Sequence, residues 1–270
     1  MAPTLSPGLT VLGNLAIDRI DHSTPTPGGC PAFIGQAIAR DKVRVVTSHS
    51  PEHADFFAQL LDTYPTPIDT IATTDTARFS IQTSPTSREI HLEAVGHRWS
   101  PSDIEAASID TTWVHLAPLT RSDFPLSTLL ALKRAGHKVS YDAQGLVRAP
   151  SVGVLSPDAK FDALLLGCID ILKVSDDEEI IFEHQSFLSN PNIVHEILYT
   201  KGPDGAHIIE HGESTHIRPS RVLRCQNTGA GEVFAVAYAL SRATGHDSLS
   251  SAHRANQAAL EMLSTRLCQN

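Results

Sequence analysis

Gln226-Asn227-Thr228-Gly229-Ala230-Gly231-Glu232-Val233-Phe234 decides how the rest of this 270-residue chain is read. Two glycines flank an alanine, a carboxylate follows, and an apolar block occupies residues 233–240. That order predicts a tight loop opening directly onto a buried helix. Free N–H groups at such a helix start point outward, and the helix dipole adds roughly half a positive charge there. A phosphate could be held without any basic side chain, and Glu232 would stand at the mouth of that cradle, able to take a proton from an attacking hydroxyl. The same letters also describe an ordinary glycine-rich turn whose first helical turn is acidic because the dipole favours it.

Outward from that loop, short β-branched runs alternate with helical patterns. Residues 9–12, 43–47, 113–116, 138–141, 171–174 and 197–200 are strand candidates; residues 31–40, 52–61, 125–134 and 251–267 are helix candidates. Gly136 is placed to stop the third of these helices. Such alternation predicts a mostly parallel sheet with helices on both faces. Residues 78–83 and 88–95 break the pattern by alternating polar and apolar positions around the turn at 84–87, which predicts a hairpin with one wet face. A ribbon of two strands is marginal alone, and an exposed edge at residues 78–95 would let two copies pair as a homodimer. A second hairpin is predicted over residues 206–209 and 214–218.

Composition narrows the function. A net charge of −9 with no Lys/Arg-rich run excludes nucleic acid as an expected partner. The longest apolar stretch, around 163–172, is interrupted by Asp170 and too short for a bilayer, so no membrane partner is expected. Residues 1–9 lack the basic-then-apolar order of a secretory signal. The four cysteines, Cys30, Cys168, Cys225 and Cys268, form no CxxC pair; free thiols in the cytoplasm are expected. None of the 14 histidines makes an HExxH pattern, and His207, His211 and His216 straddle a hairpin turn that would scatter them, so structural or surface histidines are expected.

Asn227-Thr228-Gly229-Ala230-Gly231-Glu232 resembles the DTGAGD motif of the ribokinase/PfkB family of small-molecule kinases, with four of six residues identical. Four further segments match that family in order. Gly13-Asn14 with Asp18 resembles its first strand and substrate loop, and Pro27-Gly28-Gly29 its N-terminal double glycine. Lys173-Val174-Ser175-Asp176-Asp177-Glu178 resembles the segment carrying its NxxE motif. Thr200-Lys201-Gly202-Pro203-Asp204-Gly205-Ala206 resembles its TLGxxGA nucleotide loop.

The resemblance implies one ribokinase-like α/β domain over residues 1–270, with lid strands around 14–28 and 76–98. It implies transfer of the γ-phosphoryl group of ATP, accompanied by Mg2+, to a hydroxyl of a sugar, polyol or inositol-like molecule. Glu232 takes the role of base and Gly229, Ala230 and Gly231 that of anion hole. Lys173, Ser175, Glu178, Thr200, Gly202, Gly205, Asn227, Thr228 and Asn256 would lie along the nucleotide, with Glu178 reaching Mg2+ through water. Asn14, Asp18, Gly28 and Gly29 would meet the acceptor. Two residues keep a second reading: Ser175 with Glu178 is also a capping box, and Lys173 is also readable as a strand-end surface lysine. Asp142-Ala143-Gln144-Gly145 with Arg148, together with residues 115–118, resembles the inositol-kinase-like branch. Three departures fall inside the family's motifs: Glu232 and Asn227 for Asp, and Ser175 for Asn. They motivate an alternative, a catalytically impaired protein of this fold that binds a ligand or nucleotide as a sensor or partner subunit.

Overall fold

The computed structural model describes residues 5–35, 43–64, 68–84, 88–223 and 227–269. Gln226, Cys225, the turn at 85–87 and the predicted helical stretch 36–40 lie outside the described residues. The chain begins with β1 (Ser6–Asn14), β2 (Ala16–Ile20), β3 (Thr26–Gly28) and α1 (Cys30–Ile34), followed by β4 (Val43–His49) and α2 (Ala54–Asp62). Next come β5 (Asp69–Ala72), β6 (Ala77–Thr83), β7 (Arg88–Ala94), α3 (Pro101–Ala107) and β8 (Thr111–Ala117). The middle holds α4 (Leu126–Arg134), β9 (Lys138–Asp142), α5 (Gln144–Val147), β10 (Gly153–Val154) and β11 (Ile171–Ser175). The last elements are α6 (Gln185–Ser189), β12 (Glu196–Thr200), β13 (Ala206–Glu210), β14 (Glu213–Ile217), α7 (Ala230–Ala243) and α8 (Ser248–Gln269).

Nine strands form one sheet in the order β14-β13-β12-β11-β9-β8-β1-β4-β5. From β5 to β12 every pairing is parallel, and β13 and β14 add an antiparallel edge. Central strands such as β9 and β11 are buried along almost their whole length, as expected where helices cover both faces. One face packs Leu116, Leu129, Leu132, Tyr141 and Leu172 under α3 and α4; the other packs Val11, Val45, Phe234, Tyr238 and Ala252 under α1, α7 and α8. This is the mostly parallel α/β architecture that the alternation predicts. Its chain order reverses between β1 and β8, and ligands of such sheets gather at the carboxyl ends beside that reversal.

Local chemistry sets the boundaries. Ser50 accepts the Glu52 N–H (3.3 Å) and caps a single 3-10 turn over Pro51–His53, so α2 starts at Ala54 rather than at residue 52. α4 ends where Gly136 takes φ 88° and donates its N–H to the Lys133 carbonyl.

The ribbon of residues 78–95 differs from its expected form. β6 and β7 do pair antiparallel, but within a five-stranded sheet of order β10-β7-β6-β2-β3. β2 takes the free side of β6, and β10 pairs with His91 and Leu92 of β7. The edges are instead β3, which contains Pro27, and the two-residue β10; edges so short are poor templates for pairing another chain. The ribbon edge on which a homodimer was expected to rest is therefore partly covered. Ala16, Ala77, Phe79, Ile81, Leu92 and Leu119 form the small core under this sheet. No helix among the described residues is long and apolar enough to cross a membrane. Cys30 and Cys168 are buried free thiols.

Candidate active site

α7 opens with Gly229 as its N-cap, and Ala230, Gly231 and Glu232 fill its first turn. Gly229 takes φ 86°, and a Cβ there would lie 2.5 Å from the Phe33 ring of α1. Only glycine satisfies both constraints, which locks the loop against the helix that follows Gly28-Gly29. The Ala230 N–H donates to the Asn227 carbonyl (3.0 Å) and the Val233 N–H to that of Gly229 (3.0 Å). Of the three amides expected to face a phosphate, that of Ala230 is thus spent on closing the turn. The N–H groups of Gly229, Gly231 and Glu232 make no hydrogen bond among the described residues. The half-buried Glu232 carboxylate has no protein partner among them either.

Directly beneath this turn lies Lys173. Its Nζ is 3.6 Å from where a Gly231 Cβ would stand, 3.4 Å from Asp142 Oδ2 and 3.4 Å from Glu178 Oε2. The strand-end surface reading of Lys173 is overturned, because the residue is only 5% exposed. Burial alone would lower its pKa. The surrounding carboxylates of Asp142, Glu178 and Glu232 outweigh that and hold its pKa above the ordinary lysine value. Burial pushes Asp142 up to about 6 despite Lys173. Glu178 is also desolvated, yet Lys173, Arg148 and the Ser175 N–H hold it below the usual carboxylate range. Glu178 reaches back to that N–H at 2.7 Å, the return arm of the capping box, so one carboxylate serves both the cap and the charged cluster.

Sequence reasoning did not place two other groups here. His115 is buried, shares a hydrogen bond with Ser140 Oγ (3.0 Å), and is pushed down to about 3 by burial and then by Lys173. It stays neutral and cannot shuttle protons near neutral pH. Cys30, the first residue of α1, is pushed up by burial and further by Glu232 and Asp142, so it remains a thiol. His115 opens the 115–118 segment that resembles the inositol-kinase-like branch, but that resemblance gave it no role, and Cys30 lay in no motif; only the fold brings them under the cluster.

Asp18 extends from β2 on the smaller sheet. Its Oδ2 lies 2.0 Å from where a Gly28 Cβ would stand, so the carboxylate rests on the bare backbone of that glycine. Gly29, at φ 82°, lets the chain pass the Asn14 carbonyl at a distance a side chain would forbid. Burial pushes Asp18 up to about 6, with Arg88 and Arg148 opposing the rise and Glu232 adding to it. Glu232, Lys173, Asp142, Glu178 and Asp18 thus share one field, assembled from both sheets.

Asn14 corrects an expectation. Its Nδ2 donates to the His97 carbonyl (2.8 Å) and to Asp123 (3.0 Å), while its Oδ1 accepts from Ser48 (2.6 Å) and Trp99 (2.8 Å). At 1% exposure the amide has nothing left for an acceptor hydroxyl; it ties the end of β1 to three other segments. Asp123, pushed up to about 6 by burial, completes that brace by accepting from Thr120 (2.6 Å) and the Leu119 N–H (2.9 Å).

The expected nucleotide loop follows β12. The Thr200 hydroxyl donates to the Val174 carbonyl (3.3 Å), joining the ends of β11 and β12. Gly202 (φ 49°) and Gly205 (φ 94°) carry the turn, and the Lys201 N–H donates to the Gly205 carbonyl (2.7 Å). The Thr228 carbonyl accepts from Arg266 of α8, whose guanidinium lies over the Phe33 ring. On the same helix the Asn256 Nδ2 is buried without a protein partner among the described residues. A separate cleft of about 630 Å³ opens where β4 and β5 end, lined by Ser50, Thr73, Thr74, His97 and Asp103. It holds none of the cluster residues, and its Asp103 is spent on capping α3 and on His97.

No family model matches the chain, and no curated protein does. Solved structures do. A pyrophosphate-dependent myo-inositol-1 kinase converted by mutation into a myo-inositol-3 kinase superposes with a TM-score of 0.77 at 21% identity, covering 94% of this chain and 92% of that one. A sulfate complex of a pyrophosphate-dependent kinase in the ribokinase family gives 0.76 at 20% identity, with 95% of each chain covered. The chain has the ribokinase fold. The nucleoside kinase of Burkholderia thailandensis, in complex with inosine, agrees at 0.73 and 18% identity over 93% of this chain and 89% of that one. Within the ribokinase fold of this chain, the α7 amides, Lys173 and Asp142 all lie at the carboxyl end of the parallel sheet.

Proposed function

We propose that the chain is a small-molecule kinase that moves a terminal phosphoryl group from a phosphoanhydride donor to a hydroxyl of a sugar, polyol or inositol-like acceptor. One observation carries this reading: a helix start with open amides has a buried ammonium beneath it and an unpartnered carboxylate on its first turn. Phosphoryl transfer needs positioning and neutralised charge rather than covalent help from the protein. The amides of Gly229 and Gly231, with Lys173 behind them, hold the phosphoryl oxygens. Glu232 takes the proton of the acceptor hydroxyl. The freed oxygen bonds to phosphorus as the anhydride P–O bond breaks, and the shortened donor leaves with that electron pair. Asp18, on the other sheet, orients the acceptor by accepting from a neighbouring hydroxyl.

MgATP is the donor favoured by the motif resemblance. An anion fits the residues present, since the open amides and the Asn256 Nδ2 are donors without acceptors. Mg2+ would screen the donor's charge, and Glu178, beside Lys173, would hold it through water. Inorganic pyrophosphate is the second reading, favoured because three of the similar structures are pyrophosphate-dependent kinases. The cradle addresses phosphoryl groups only and suits either donor.

Purified protein offered ATP or pyrophosphate with Mg2+ and a panel of polyols, sugars and nucleosides is expected to phosphorylate at least one acceptor. Binding of donor and acceptor without product would replace the kinase with the ligand-binding alternative. Acceptor kcat/KM is expected to rise with pH through about 6 as Asp18 loses its proton and becomes a pure acceptor. Asp18→Asn is expected to lower kcat/KM and flatten that limb; an unchanged profile would reassign it to Asp142, which titrates in the same range.

A further inference from the structure

Far from the α7 cradle, the antiparallel edge of the large sheet brings together two histidines that lie 16 positions apart. Glu196 of β12 pairs with Glu210 of β13, so His195, one residue earlier, lies opposite His211, one residue later. Strict alternation along β13 would send the side chains of Glu210 and His211 to opposite faces. His211 instead takes a left-handed backbone, φ 54°, in the turn it shares with Gly212, and the alternation ends there. The outcome is compact. One nitrogen of each imidazole and one oxygen of Glu210 all lie within 4.8 Å of one another, and the rings meet edge to face at 4.7 Å.

We propose that His195, Glu210 and His211 form a binding site for a divalent transition metal of the zinc class. Two imidazoles and one carboxylate are a recurrent three-protein ligand set for Zn2+, with water in the fourth position. Imidazole nitrogen selects against Mg2+ and Ca2+, which prefer oxygen. Ligand atoms around tetrahedral zinc lie about 3.3 Å apart, given metal–ligand bonds of about 2.0–2.1 Å. The gaps here must close by no more than about 1.5 Å, and the two histidines are exposed and free to turn. Neither imidazole makes a hydrogen bond among the described residues, so neither must give one up. Glu210 is already oriented: its Oε2 accepts from the Ser248 hydroxyl at the start of α8 (2.9 Å), the kind of outer partner that fixes a ligating carboxylate. A cleft of about 270 Å³, lined in part by His195, His211 and Asn192, gives the ion an approach.

The bound ion would clamp the β13–β14 turn to the start of β12 and, through Glu210, to α8. It sits at the opposite end of β12 from the Thr200–Gly205 turn. The proposal does not depend on the kinase reading.

The test uses the full chain stripped with chelator. Calorimetric titration with ZnCl2 is expected to show one site, and CoCl2 to give the visible absorption of four-coordinate cobalt. His195→Ala and His211→Ala should each weaken zinc binding at least tenfold and abolish that spectrum. His253→Ala, on the exposed side of α8, should change neither. Zinc should raise the thermal midpoint of the parent by a few degrees and leave that of His195→Ala unmoved. The proposal is overturned if the parent binds zinc no more tightly than the two histidine variants, or if its cobalt spectrum is that of the six-coordinate aqueous ion. Equal thermal midpoints without metal would show that the variants fold normally.

Discussion

Glu232→Gln is expected to lower kcat by about 10²–10⁴-fold, the usual contribution of a positioned general base, while acceptor KM moves only a few-fold. The change is nearly isosteric, and the carboxylate has no protein partner to lose among the described residues. Stability should drop by no more than about 0.3–1 kcal/mol, the value of an acidic group facing a helix N-terminus. That contrast separates the two readings of the loop. If Glu232 were acidic only because the dipole favours it, turnover would survive and the thermal midpoint alone would shift. Glu232→Asp draws the carboxylate back by one methylene, and turnover is expected to fall by up to about a hundredfold. A tenfold gain would show the longer arm to be a handicap.

Lys173→Met is expected to be the most destabilising single substitution in the site. Its ammonium stands between Asp142 and Glu178, both nearly fully buried. Removing one partner from a buried ionic group leaves uncompensated charge and costs about 3–5 kcal/mol, a fall in thermal midpoint of roughly 10 °C for a chain of this size. The pH dependence gives the mechanism. Asp142 already holds its proton up to about 6, above its unfolded value of 3.8, so its stabilising share is present at low pH and lost as pH rises through that window. Without Lys173 the Asp142 carboxyl is raised further, the Glu178 carboxyl loses the charge that helps hold it down, and the loss extends to higher pH. The midpoint gap between parent and variant should be smaller at pH 5 than at pH 8; a gap that is constant or reversed would show that the cluster is not held by charge. Phosphoryl transfer should fall as well, since the cradle loses its fixed positive charge.

How much of this was legible in the letters depended on the range of the interactions involved. The buried strands β9, β11 and β12 and the helices α4 and α8 follow from local periodicity, which predicts a mostly parallel α/β sheet; the ribokinase fold was implied only by the resemblance of five segments in order. Lys173 was ambiguous because a five-residue strand does not reveal that both its neighbours and both its faces are covered. Asn14 misled for a related reason. A polar residue at a strand end suits a ligand, but its four partners come from segments up to 109 residues away. The Ala230 amide was counted as open because a motif cannot show that the Asn227 carbonyl folds back onto it. His195 and His211 became neighbours only through the register of β12 with β13.

The smaller sheet draws its strands from three separated stretches, residues 16–28, 77–94 and 153–154. It cannot form early from one contiguous hairpin, and it cannot be lifted out as a cassette. Grafting any one stretch from a protein of different taste would leave its hydrogen-bonding partners foreign. Exchange of one stretch therefore calls for matching changes in the other two, and exchange at one place alone should yield poorly folded chimeras.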